Sequence, residues 1–514
     1  MPHPAPPASP LEIELKLALP GADPRRIAVQ LAAVPALAGL PTQVVRLVNT
    51  YFDTPEQHLR RQRAALRLRG ERAAGGTRWL QTFKTAGTPG PLSQRGEWET
   101  ALRRGVLDPA ELQGTPWAAL DARGELFGQL EPVFQTRATR TLRVFTTPEG
   151  SRIEVALDVG SVRAGDRSVA LCELELELLQ GPPDALFALA EQVAVLLPVL
   201  PSDTSKAERG WRLADGGARP PRRARPPALT PDQPVRPAAQ AVLGEALGQF
   251  SGNLADLAEA VGSDDAERVH QARVGWRRWR SALWLFRPLL GTHAPPDASP
   301  LRPVLAALGA ARDLDVAVLD TLPRWADAYI DADPGAAPRR AAWQALLAAL
   351  QAERHRRHAA LRAALQVPAT GLALVRLQRW LHAMAPTAAD AAAPTPAGAA
   401  WLGPWARRRA RRLRARLKAA VQAMPGADPM AQRHRVRLLA KRSRYVLESL
   451  RPLLRPKRTR KAIAQATALQ TDIGAARDLD LLARLLATLG ADRAIVGFFR
   501  GVSAARQPAA KGES

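Results

Sequence analysis

The chain has 514 residues, more than one hydrophobic core normally organises, so two or three domains are expected. Its single cysteine, Cys172, excludes an internal disulfide and a cysteine-based metal site. The net charge of +25 is uneven: residues 1–215 hold 25 basic and 25 acidic side chains, whereas the rest hold 48 and 23. This asymmetry predicts two modules, the second with a polyanionic partner, although solubility or arginine-rich composition would also explain it.

The ends of the chain and one internal segment are predicted to lack regular structure. Residues 1–10 have no basic patch followed by an apolar core, so no signal peptide is expected, and residues 506–514 form a second tail. No uncharged apolar run reaches the ~18 residues of a membrane span. Segment 216–237, rich in Pro, Gly and Arg, predicts an extended linker at the charge boundary. A cytoplasmic protein is expected.

Before this linker the pattern is mainly that of β-strands. Helices are predicted near 23–34 and 184–196, and turn signals such as "AAGGT" and "VRAGD" separate several strands. Eight antiparallel strands without βαβ alternation predict a closed barrel over residues 11–215, an α+β domain. The predicted strands are 11–18, 43–52, 64–70, 78–85, 94–101, 137–145, 152–159 and 168–178.

Charged residues alternate with apolar ones along these strands. "LEIELKL" places Glu12, Glu14 and Lys16 on one face, and "CELELEL" does the same for Glu173, Glu175 and Glu177. An ordinary small barrel would turn its apolar face inward and its charges to water. Here, however, basic residues gather in the third and fourth strands and acidic ones in the fifth, seventh and eighth. This sorting favours a charged lumen, with helices covering an apolar exterior.

A lumen with both cations and carboxylates predicts a charged ligand. Arg and Lys bind phosphate oxygens, but the neighbouring carboxylates would repel phosphate unless a hard cation lay between them. Mg²⁺ and Mn²⁺ prefer oxygen ligands and bridge carboxylates to phosphates. The lumen is therefore interpreted as a site for a metal–polyphosphate complex, at which phosphoryl transfer requires mainly positioning and charge stabilisation.

After the linker the pattern is helical and duplicated. "HQARVGWRRWR" (270–280) matches "HRVRLLAKRSR" (434–444), and "LGAARDLDV" (308–316) matches "IGAARDLDL" (473–481). The two similar offsets predict an all-α, two-lobed bundle over 238–505, with repeats at about 238–384 and 401–505 joined by a connector at 385–400. Helices are predicted at 238–261, 264–290, 302–328, 339–366, 371–384, 401–424, 430–454, 457–490 and 491–505.

Each repeat carries a cationic stripe at helical spacing. The first is His270, Arg273, Arg277 and Arg280, and the second is His434, Arg437, Lys441 and Arg444. A solvated helix face would explain one such stripe. Two matching stripes without interleaved acids favour a bound anion, because like charges at this spacing repel. "RDLD" at 312–315 and 477–480 is interpreted as structural, and "ARRRARRLRARLK" (406–418) adds a third basic segment.

The N-terminal residues resemble the CYTH superfamily, the triphosphate tunnel metalloenzymes. The resemblance rests on Glu12-x-Glu14-x-Lys16 and on an ordered series of segments: "NTYFDTPEQHL", "ALRLR", "FK", "GEWE", "ALDVG", "CELELEL" and "SKAERG". It implies an eight-stranded antiparallel tunnel that acts on triphosphates with Mg²⁺ or Mn²⁺. Metal would be held by Glu12, Glu14, Glu173 and Glu175, and substrate by Lys16, Arg67, Arg69, Lys84, Arg140 and Lys206.

Within that family pattern Lys16 and Arg140 are expected to be catalytic. Many members have Lys-x-Arg on the sixth strand, where this chain has Ala138-Thr139-Arg140, so one phosphate contact is absent or is supplied by Arg137 or Arg143.

Residues 238–505 resemble the CHAD domain, which often follows a CYTH domain and is similar to proteins that bind polyphosphate. The combination resembles bacterial CYTH–CHAD inorganic triphosphatases.

The leading hypothesis is therefore an inorganic triphosphatase that cleaves tripolyphosphate to pyrophosphate and phosphate, with a helical module that binds long-chain polyphosphate. A polyphosphate ligand would also allow association with cytoplasmic granules. The alternatives are an adenylyl cyclase or thiamine triphosphatase of the same fold, and a non-catalytic polyphosphate-binding protein. Nucleic acid fits the charge as well, but the sequence has no helix-turn-helix, RRM or zinc-finger signature.

Overall fold

A computed structural model describes eight stretches of the chain: 11–73, 75–217, 220–259, 265–290, 293–331, 336–384, 401–424 and 429–506. The predicted tail 1–10, the connector 385–400 and all but the first residue of the tail 506–514 lie outside these stretches, as does the side chain of Arg477. The chain forms two compact units. The first comprises Met1–Pro221 and Leu365–Arg379, and the second Arg222–Ala364 and Trp380–Ser514.

The first unit contains a closed antiparallel sheet. Its strands are β1 (Leu11–Ala18), β2 (Gln43–Asp53), β3 (Ala65–Ala73), β4 (Gly76–Lys84), β5 (Leu92–Leu102), β6 (Glu131–Thr146), β7 (Arg152–Ala164), β8 (Arg167–Gln180) and a short β9 (Leu200–Ser202). They pair in the order β5-β4-β3-β2-β6-β7-β8-β1. Pairing of β1 with β5 closes the ring, and β9 extends the β5 edge along β1. The predicted eight-stranded antiparallel barrel is confirmed.

Helices cover the apolar exterior of this sheet. The helices of the unit are α1 (Pro24–Ala32), α2 (His58–Arg61), α3 (Trp117–Leu120), α4 (Asp184–Leu196) and α5 (Lys206–Ala214). Leu15 of β1 and Leu176 of β8 are buried in one cluster with Ile27 of α1 and Phe187 of α4. Because side chains alternate along a strand, the charged residues between these leucines point to the other side, into the barrel.

Helix α5 packs against an apolar part of the interior face. Phe134 of β6 is buried against Trp211, with ring centroids 5.7 Å apart. Gly210 is required at this contact, since a Cβ there would lie 2.0 Å from the Phe134 ring. Phe134 is six residues from Arg140 on the same strand, so the two share a face. The barrel is therefore polar in one part and closed by α5 in another.

The second unit is helical, as predicted. Its helices are α6 (Val235–Glu259), α7 (Ala266–Leu290), α8 (Arg302–Val316), α9 (Ala326–Ile330), α10 (Ala336–Leu365), α11 (Pro368–Ala383), α12 (Leu402–Gln422), α13 (Pro429–Ser449), α14 (Pro456–Thr488) and α15 (Arg493–Arg506), with α10 and α11 partly in the first unit. The helix predicted at 302–328 is interrupted by a π-turn at Ala317–Thr321 and a 3₁₀ turn at Leu322–Trp325. Pro323 has no backbone N–H for a continuous α-helix.

The two sequence repeats share one apolar core. Trp343 and Leu350 of α10 lie in the same buried cluster as Leu486 of α14 and Phe499 of α15.

Part of the predicted linker belongs to this unit as well. The backbone N–H of Arg222 donates to Asn253 Oδ1 over 3.0 Å, and its guanidinium lies 3.3 Å from Asp256. Arg222 therefore has fixed contacts.

Candidate functional site

The inward face of the tunnel carries a dense set of paired charges. Strand β1 supplies Glu12, Glu14 and Lys16, which alternate with Ile13 and Leu15 on the outer side. Glu14 is 2 % exposed and Lys16 is 6 % exposed, so water screens these charges weakly. The Lys16 ammonium donates to Glu14 over 2.7 Å and also to Glu175 of β8. The charges on alternate residues thus pair with one another along β1 and with the neighbouring strand β8.

Three carboxylates converge at one position in the tunnel. Asp158 of β7 and Glu173 and Glu175 of β8 each offer a ligand oxygen within 4.8 Å of the others. Oxygen donors of this kind suit Mg²⁺ or Mn²⁺. Two cations of the chain neutralise the cluster: Arg140 binds Asp158 through two bonds of 2.6 and 2.8 Å, and Lys206 contacts all three carboxylates.

The pKa values of this cluster reflect that pairing. Burial would raise the pKa of Asp158, but the charges of Lys206 and Arg140 outweigh it and lower the pKa to about 2. Burial likewise opposes ionisation of Glu175, yet Lys16, Lys206 and Arg140 hold its pKa well below the usual range. The carboxylates are therefore anionic at neutral pH, as metal ligands must be.

The other two predicted metal ligands lie in a second ionic group. Glu12 pairs with Arg95 at 2.5 Å and with Lys84 at 3.0 Å, and Glu14 pairs with Arg95 at 2.7 Å. Glu14 and Glu175 both contact Lys16, which joins the two groups. The four carboxylates named by the resemblance thus line one tunnel, while the tightest oxygen cluster within the described residues includes Asp158 in place of Glu12 and Glu14.

Four predicted substrate-binding cations lie on the inward side of the tunnel wall. Arg67 and Arg69 alternate along β3, Lys84 is on the neighbouring β4, and Arg140 is on β6. Arg67 is held by Thr82 at 3.1 Å and Arg69 by Asn49 at 2.9 Å. Burial, then Arg67 and Arg95, lower the pKa of Lys84, and burial, then Arg67 and Arg140, lower that of Arg69. These four residues are called the row of cations below.

Glu177 lies among several other carboxylates of the tunnel. Burial raises its pKa to about 7, with repulsion from Glu12, Glu154 and Glu97 adding to the effect. Burial also raises the pKa of Glu154. Glu177 is directly opposite Glu14 on β1 and Glu154 on β7. This part of the tunnel therefore holds a carboxyl group that titrates near neutral pH.

Sequence reasoning left several of these contacts unassigned. Asp158 was not given a role, although it shares its parity with Glu154, and Arg95 was omitted from the clamp although it alternates with Glu97. Arg209, one turn after Lys206 on α5, lies 3.4 Å from Glu173. Alternation along their strands could have identified Asp158 and Arg95 as inward-facing residues. Helical spacing from Lys206 was the signal for Arg209, but α5 was not predicted.

The substitution on the sixth strand has a clear structural consequence. Ala138 faces inward and packs with Val162, Leu171 and Leu213 in an apolar cluster. Arg137 and Arg143 are an odd number of residues from Arg140, so both point to the outer side of the strand. Neither supplies the missing cation; the position that often carries lysine is apolar here.

In the helical unit, the structure brings parts of the two predicted stripes together. Arg444 of the second stripe and Arg278 of α7 both pair with Glu448, at 3.5 and 2.6 Å, so the two stripe helices lie side by side. Burial lowers the pKa of His270, and the charges of Arg312, Arg277 and Arg444 add to this effect. Arg273 lies against α8, where a Cβ at Gly309 would be 2.9 Å from its Nη1. In the second stripe, His434 is exposed and Arg437 and Lys441 are half-buried.

Arginines from three helices surround Trp284 of α7. The guanidinium of Arg442 (α13) lies 4.8 Å from the indole ring, and that of Arg416 (α12) lies 5.9 Å from it. Burial lowers the pKa of Arg442, and repulsion from Arg280 and Arg416 lowers it further. No ion pair joins these three arginines to a carboxylate within the described part of the chain. Arg280, the last stripe residue, thus belongs to a cationic group that includes the basic segment 406–418.

The first "RDLD" segment has the predicted structural character. Asp315 is fully buried and accepts from Arg354 over 2.7 Å and contacts His358 over 3.0 Å, both on α10. Arg312 lies 3.6 Å from Asp320. The contacts of Asp315 therefore join α8 to α10, and not to the stripe helix α7.

A closed antiparallel β-tunnel with a charged interior, followed by a duplicated helical bundle, defines the class of protein. Comparison with known families agrees: the CYTH domain matches residues 10–211, and the CHAD domain matches residues 241–487. The chain therefore consists of a CYTH domain followed by a CHAD domain. No helix within the described stretches is long and apolar enough to cross a membrane.

Individual relatives were found for each part. The chain is 32% identical over 206 residues to the inorganic triphosphatase of Haemophilus influenzae, covering 39% of this chain and 54% of the relative, so it spans about half of that protein's length. The CHAD domain of the plant Ricinus communis is 30% identical, with 56% of this chain and 91% of that one covered and a TM-score of 0.45.

A third similar protein comes from Hippeastrum and is described as an adenylyl cyclase with a dominant triphosphatase activity. It is 21% identical, covers 41% of this chain and 98% of its own, and has a TM-score of 0.28.

Proposed function

We propose that the CYTH domain is a metal-dependent inorganic triphosphatase that hydrolyses tripolyphosphate to pyrophosphate and phosphate, and that the CHAD domain binds long-chain polyphosphate in the cytoplasm. One observation carries the enzymatic part: the row of cations (Lys84, Arg67, Arg69 and Arg140) lines the same tunnel as a cluster of three carboxylates. The similarity to the Haemophilus inorganic triphosphatase supports the same reaction.

The carboxylate cluster fits a divalent cation. Asp158, Glu173 and Glu175 would hold it, because each offers an oxygen within 4.8 Å of the others. Glu12 and Glu14 would contribute after release from Arg95. A bound Mg²⁺ or Mn²⁺ supplies charge neutralisation of the phosphate oxygens and a more acidic water.

The cations of the tunnel would bind and orient the triphosphate. Arg67 and Arg69 are held by Thr82 and Asn49, so their guanidinium groups are preorganised before substrate arrives. Like charges at short distance repel, and an anion with three phosphates relieves that repulsion along the whole row. Pyrophosphate reaches fewer of these cations, which makes it a poorer substrate.

Lys16 and Arg140 are the proposed catalytic cations. Both contact Glu175, so both lie beside the carboxylate cluster where the phosphoryl group would be transferred. Their charges stabilise negative charge that develops on the phosphate oxygens in the transition state. Neither gains or loses a proton in this role, since ion pairing holds the pKa of each above its usual range.

A phosphate-release assay tests the activity and separates the alternatives. The metal-stripped protein is assayed with tripolyphosphate, pyrophosphate, ATP, thiamine triphosphate and long polyphosphate, each with Mg²⁺ and with Mn²⁺. Preferential turnover of tripolyphosphate is expected. Cyclic AMP from ATP, or preference for thiamine triphosphate, would replace this function with one of the two alternative activities. No turnover of any substrate would leave a non-catalytic polyphosphate-binding protein.

Paired substitutions test the metal ligands. Asp158→Asn and Glu12→Gln each remove one negative charge with little change in shape. If the cluster of three carboxylates holds the metal, Asp158→Asn weakens Mn²⁺ binding more than Glu12→Gln does, measured by calorimetry on the full chain. A larger loss of Mn²⁺ binding in Glu12→Gln than in Asp158→Asn would instead mean that Glu12 and Glu14 form the primary metal site.

The polyphosphate-binding role of the CHAD domain rests on the arginines around Trp284. Arg416 and Arg442 pack on its indole ring, and neither these two nor Arg280 forms an ion pair with a carboxylate in the described stretches. Competition between polyphosphate and double-stranded DNA at equal salt tests the ligand. Displacement of polyphosphate by DNA at equal phosphate concentration would instead identify a nucleic-acid binder.

A further inference from the structure

Lys206 makes contacts that no other cation of the tunnel makes. Its ammonium lies 2.8 Å from Asp158 and 3.0 Å from Glu175, and it also contacts Glu173. The ammonium donates a hydrogen bond to Glu173 and forms ion pairs with the other two carboxylates. Its side chain is 8 % exposed, and these three carboxylates raise its pKa although burial opposes the charge.

Every oxygen of the three carboxylates already contacts a cation of the protein. Asp158 Oδ1 and Oδ2 both bind Arg140, and Glu175 Oε2 also binds Arg140, over 2.6–2.9 Å. Glu175 Oε1 contacts Lys16 and Lys206, Glu173 Oε1 contacts Lys206, and Glu173 Oε2 lies 3.4 Å from Arg209. A divalent cation bound to one oxygen of each carboxylate would lie beside these positive charges, and their repulsion favours displacement of one of them.

Lys206 is the cation best suited to leave. Arg140 binds Asp158 through two planar bonds and cannot move without breaking both, whereas lysine is a point charge on a flexible stem. The backbone beneath Lys206 is fixed independently. Ser205 caps α5 by accepting from the Glu208 N–H over 3.0 Å, and Arg60 binds Asp215 and lies 4.6 Å from the Trp211 ring. Only the side chain needs to move.

We infer that Lys206 occupies the metal position in the metal-free protein and thereby couples metal binding to triphosphate binding. The inference rests on the proposed function of the tunnel. When the metal takes the carboxylate oxygens, the displaced ammonium stays in a buried site and needs a new anion. A phosphate oxygen of the triphosphate is that anion. Metal alone therefore binds weakly, and metal with triphosphate binds tightly, so Lys206 is a positioning residue that keeps the site unloaded until substrate arrives.

Mn²⁺ binding to the metal-stripped full chain tests this inference by calorimetry. Lys206→Met is expected to bind Mn²⁺ about tenfold or more tightly than the wild type without triphosphate, the usual scale of coupling between sites. The matched control is Arg69→Met, which removes another buried tunnel cation that contacts Asn49 and Glu71 but no proposed metal ligand among the described residues. Its Mn²⁺ affinity should change by less than about threefold. Equal gains in both variants, or no gain in Lys206→Met, would overturn the inference.

The coupling is measured with imidotriphosphate, which resists hydrolysis. In the wild type it should strengthen Mn²⁺ binding, after correction for Mn²⁺ binding to free imidotriphosphate, by about tenfold more than in Lys206→Met. Equal strengthening in both proteins would contradict the role of Lys206. The protein could fail to hydrolyse tripolyphosphate while Lys206→Met still gains Mn²⁺ affinity. That result would refute the proposed reaction but would support the inference that Lys206 occupies the metal position.

Variants that do not fold are also informative. Removing Lys206 leaves three buried carboxylates without one partner, so Lys206→Gln, which keeps an amide donor, serves as a second variant. If both variants are unfolded in metal-free buffer, far-ultraviolet circular dichroism is measured with increasing Mn²⁺. Recovery of the folded spectrum supports replacement of the ammonium by the metal. Absence of recovery contradicts it.

Discussion

The tunnel and the helical unit are both rich in cations, but they neutralise them differently. In the tunnel Lys84, Arg95 and Arg140 each lie 2.5–3.0 Å from a carboxylate and are mostly buried. Around Trp284, by contrast, Arg416 and Arg442 pack on an indole ring and repel one another. The tunnel therefore favours one ligand of defined size, whereas the helical surface favours any flexible polyanion that can lie along its positive charges.

This difference also predicts how each region responds to change. Buried ion pairs depend on geometry, and removing one partner leaves an uncompensated charge. Exposed cations act through the summed field, which salt screens and counterion release dominates. Single substitutions should thus have large effects in the tunnel and smaller, salt-dependent effects on the helical unit.

The largest effect is expected for Glu175→Gln. Lys16, Arg140 and Lys206 all contact this carboxylate, and it belongs to the cluster proposed to hold the metal. Turnover of tripolyphosphate should fall by about 100-fold or more, since even residues beyond the ligands of a metal site cost 10–100-fold. The control is Glu149→Gln, which removes an exposed carboxylate from the turn between β6 and β7. Near-wild-type turnover of folded Glu175→Gln would contradict the assigned site.

The next effect concerns the row of cations. Arg67→Ala should raise the KM for tripolyphosphate by roughly 10- to 150-fold, because a hydrogen bond to a charged group contributes about 1.5–3 kcal/mol. Arg137→Ala is the matched control, since that exposed arginine is on the outer side of the tunnel wall. A similar change in KM for both variants would mean that the net charge of the domain, and not the row, attracts the substrate.

On the helical unit, reversing two charges of one stripe should have a moderate effect. Arg273→Glu with Arg277→Glu is expected to weaken binding of long polyphosphate about tenfold near physiological salt and to reduce its salt dependence. The control reverses Lys457 and Arg458, which are exposed at the start of α14. The basic linker is a poorer control, because Arg222 is paired with Asp256. Equal losses from stripe and control would show that only bulk charge matters.

The two regions also differ in how much of their structure the sequence could predict. In the tunnel, alternation along strands predicted the charged face, and the predicted range of β1 agrees with the observed one. Alternation cannot say which carboxylate meets which cation, because that depends on strand register and barrel closure. The pairing of Glu12 with Arg95 across β1 and β5 is an example, since it exists only in the closed ring.

In the helical unit, periodicity predicted the helices and the duplication, but contacts between helices were beyond its reach. Arg280 was assigned to the stripe from its spacing, whereas in the structure it perturbs Arg442 beside Trp284. Helix α5 was missed because "KAERGWRLA" is short and polar, although Ser205 and Glu208 at its start match a capping-box pattern. Contacts between helices, such as the one between Arg280 and Arg442, leave no periodic signal in the chain.

The smallest effect concerns Glu177, the least compensated carboxylate of the tunnel. Burial and repulsion from Glu12, Glu154 and Glu97 raise its pKa to about 7, above its value in the unfolded chain. Between about pH 4.5 and 7 the folded protein therefore retains a proton that the unfolded chain has lost, so this group makes the free energy of unfolding fall as pH rises. Glu177→Gln removes that dependence. In metal-free protein, the free energy of unfolding in urea should fall between pH 6 and pH 7 by about 1 kcal/mol more for the wild type than for Glu177→Gln. Exposed Glu149→Gln should follow the wild type, and parallel curves for all three proteins would refute the raised pKa.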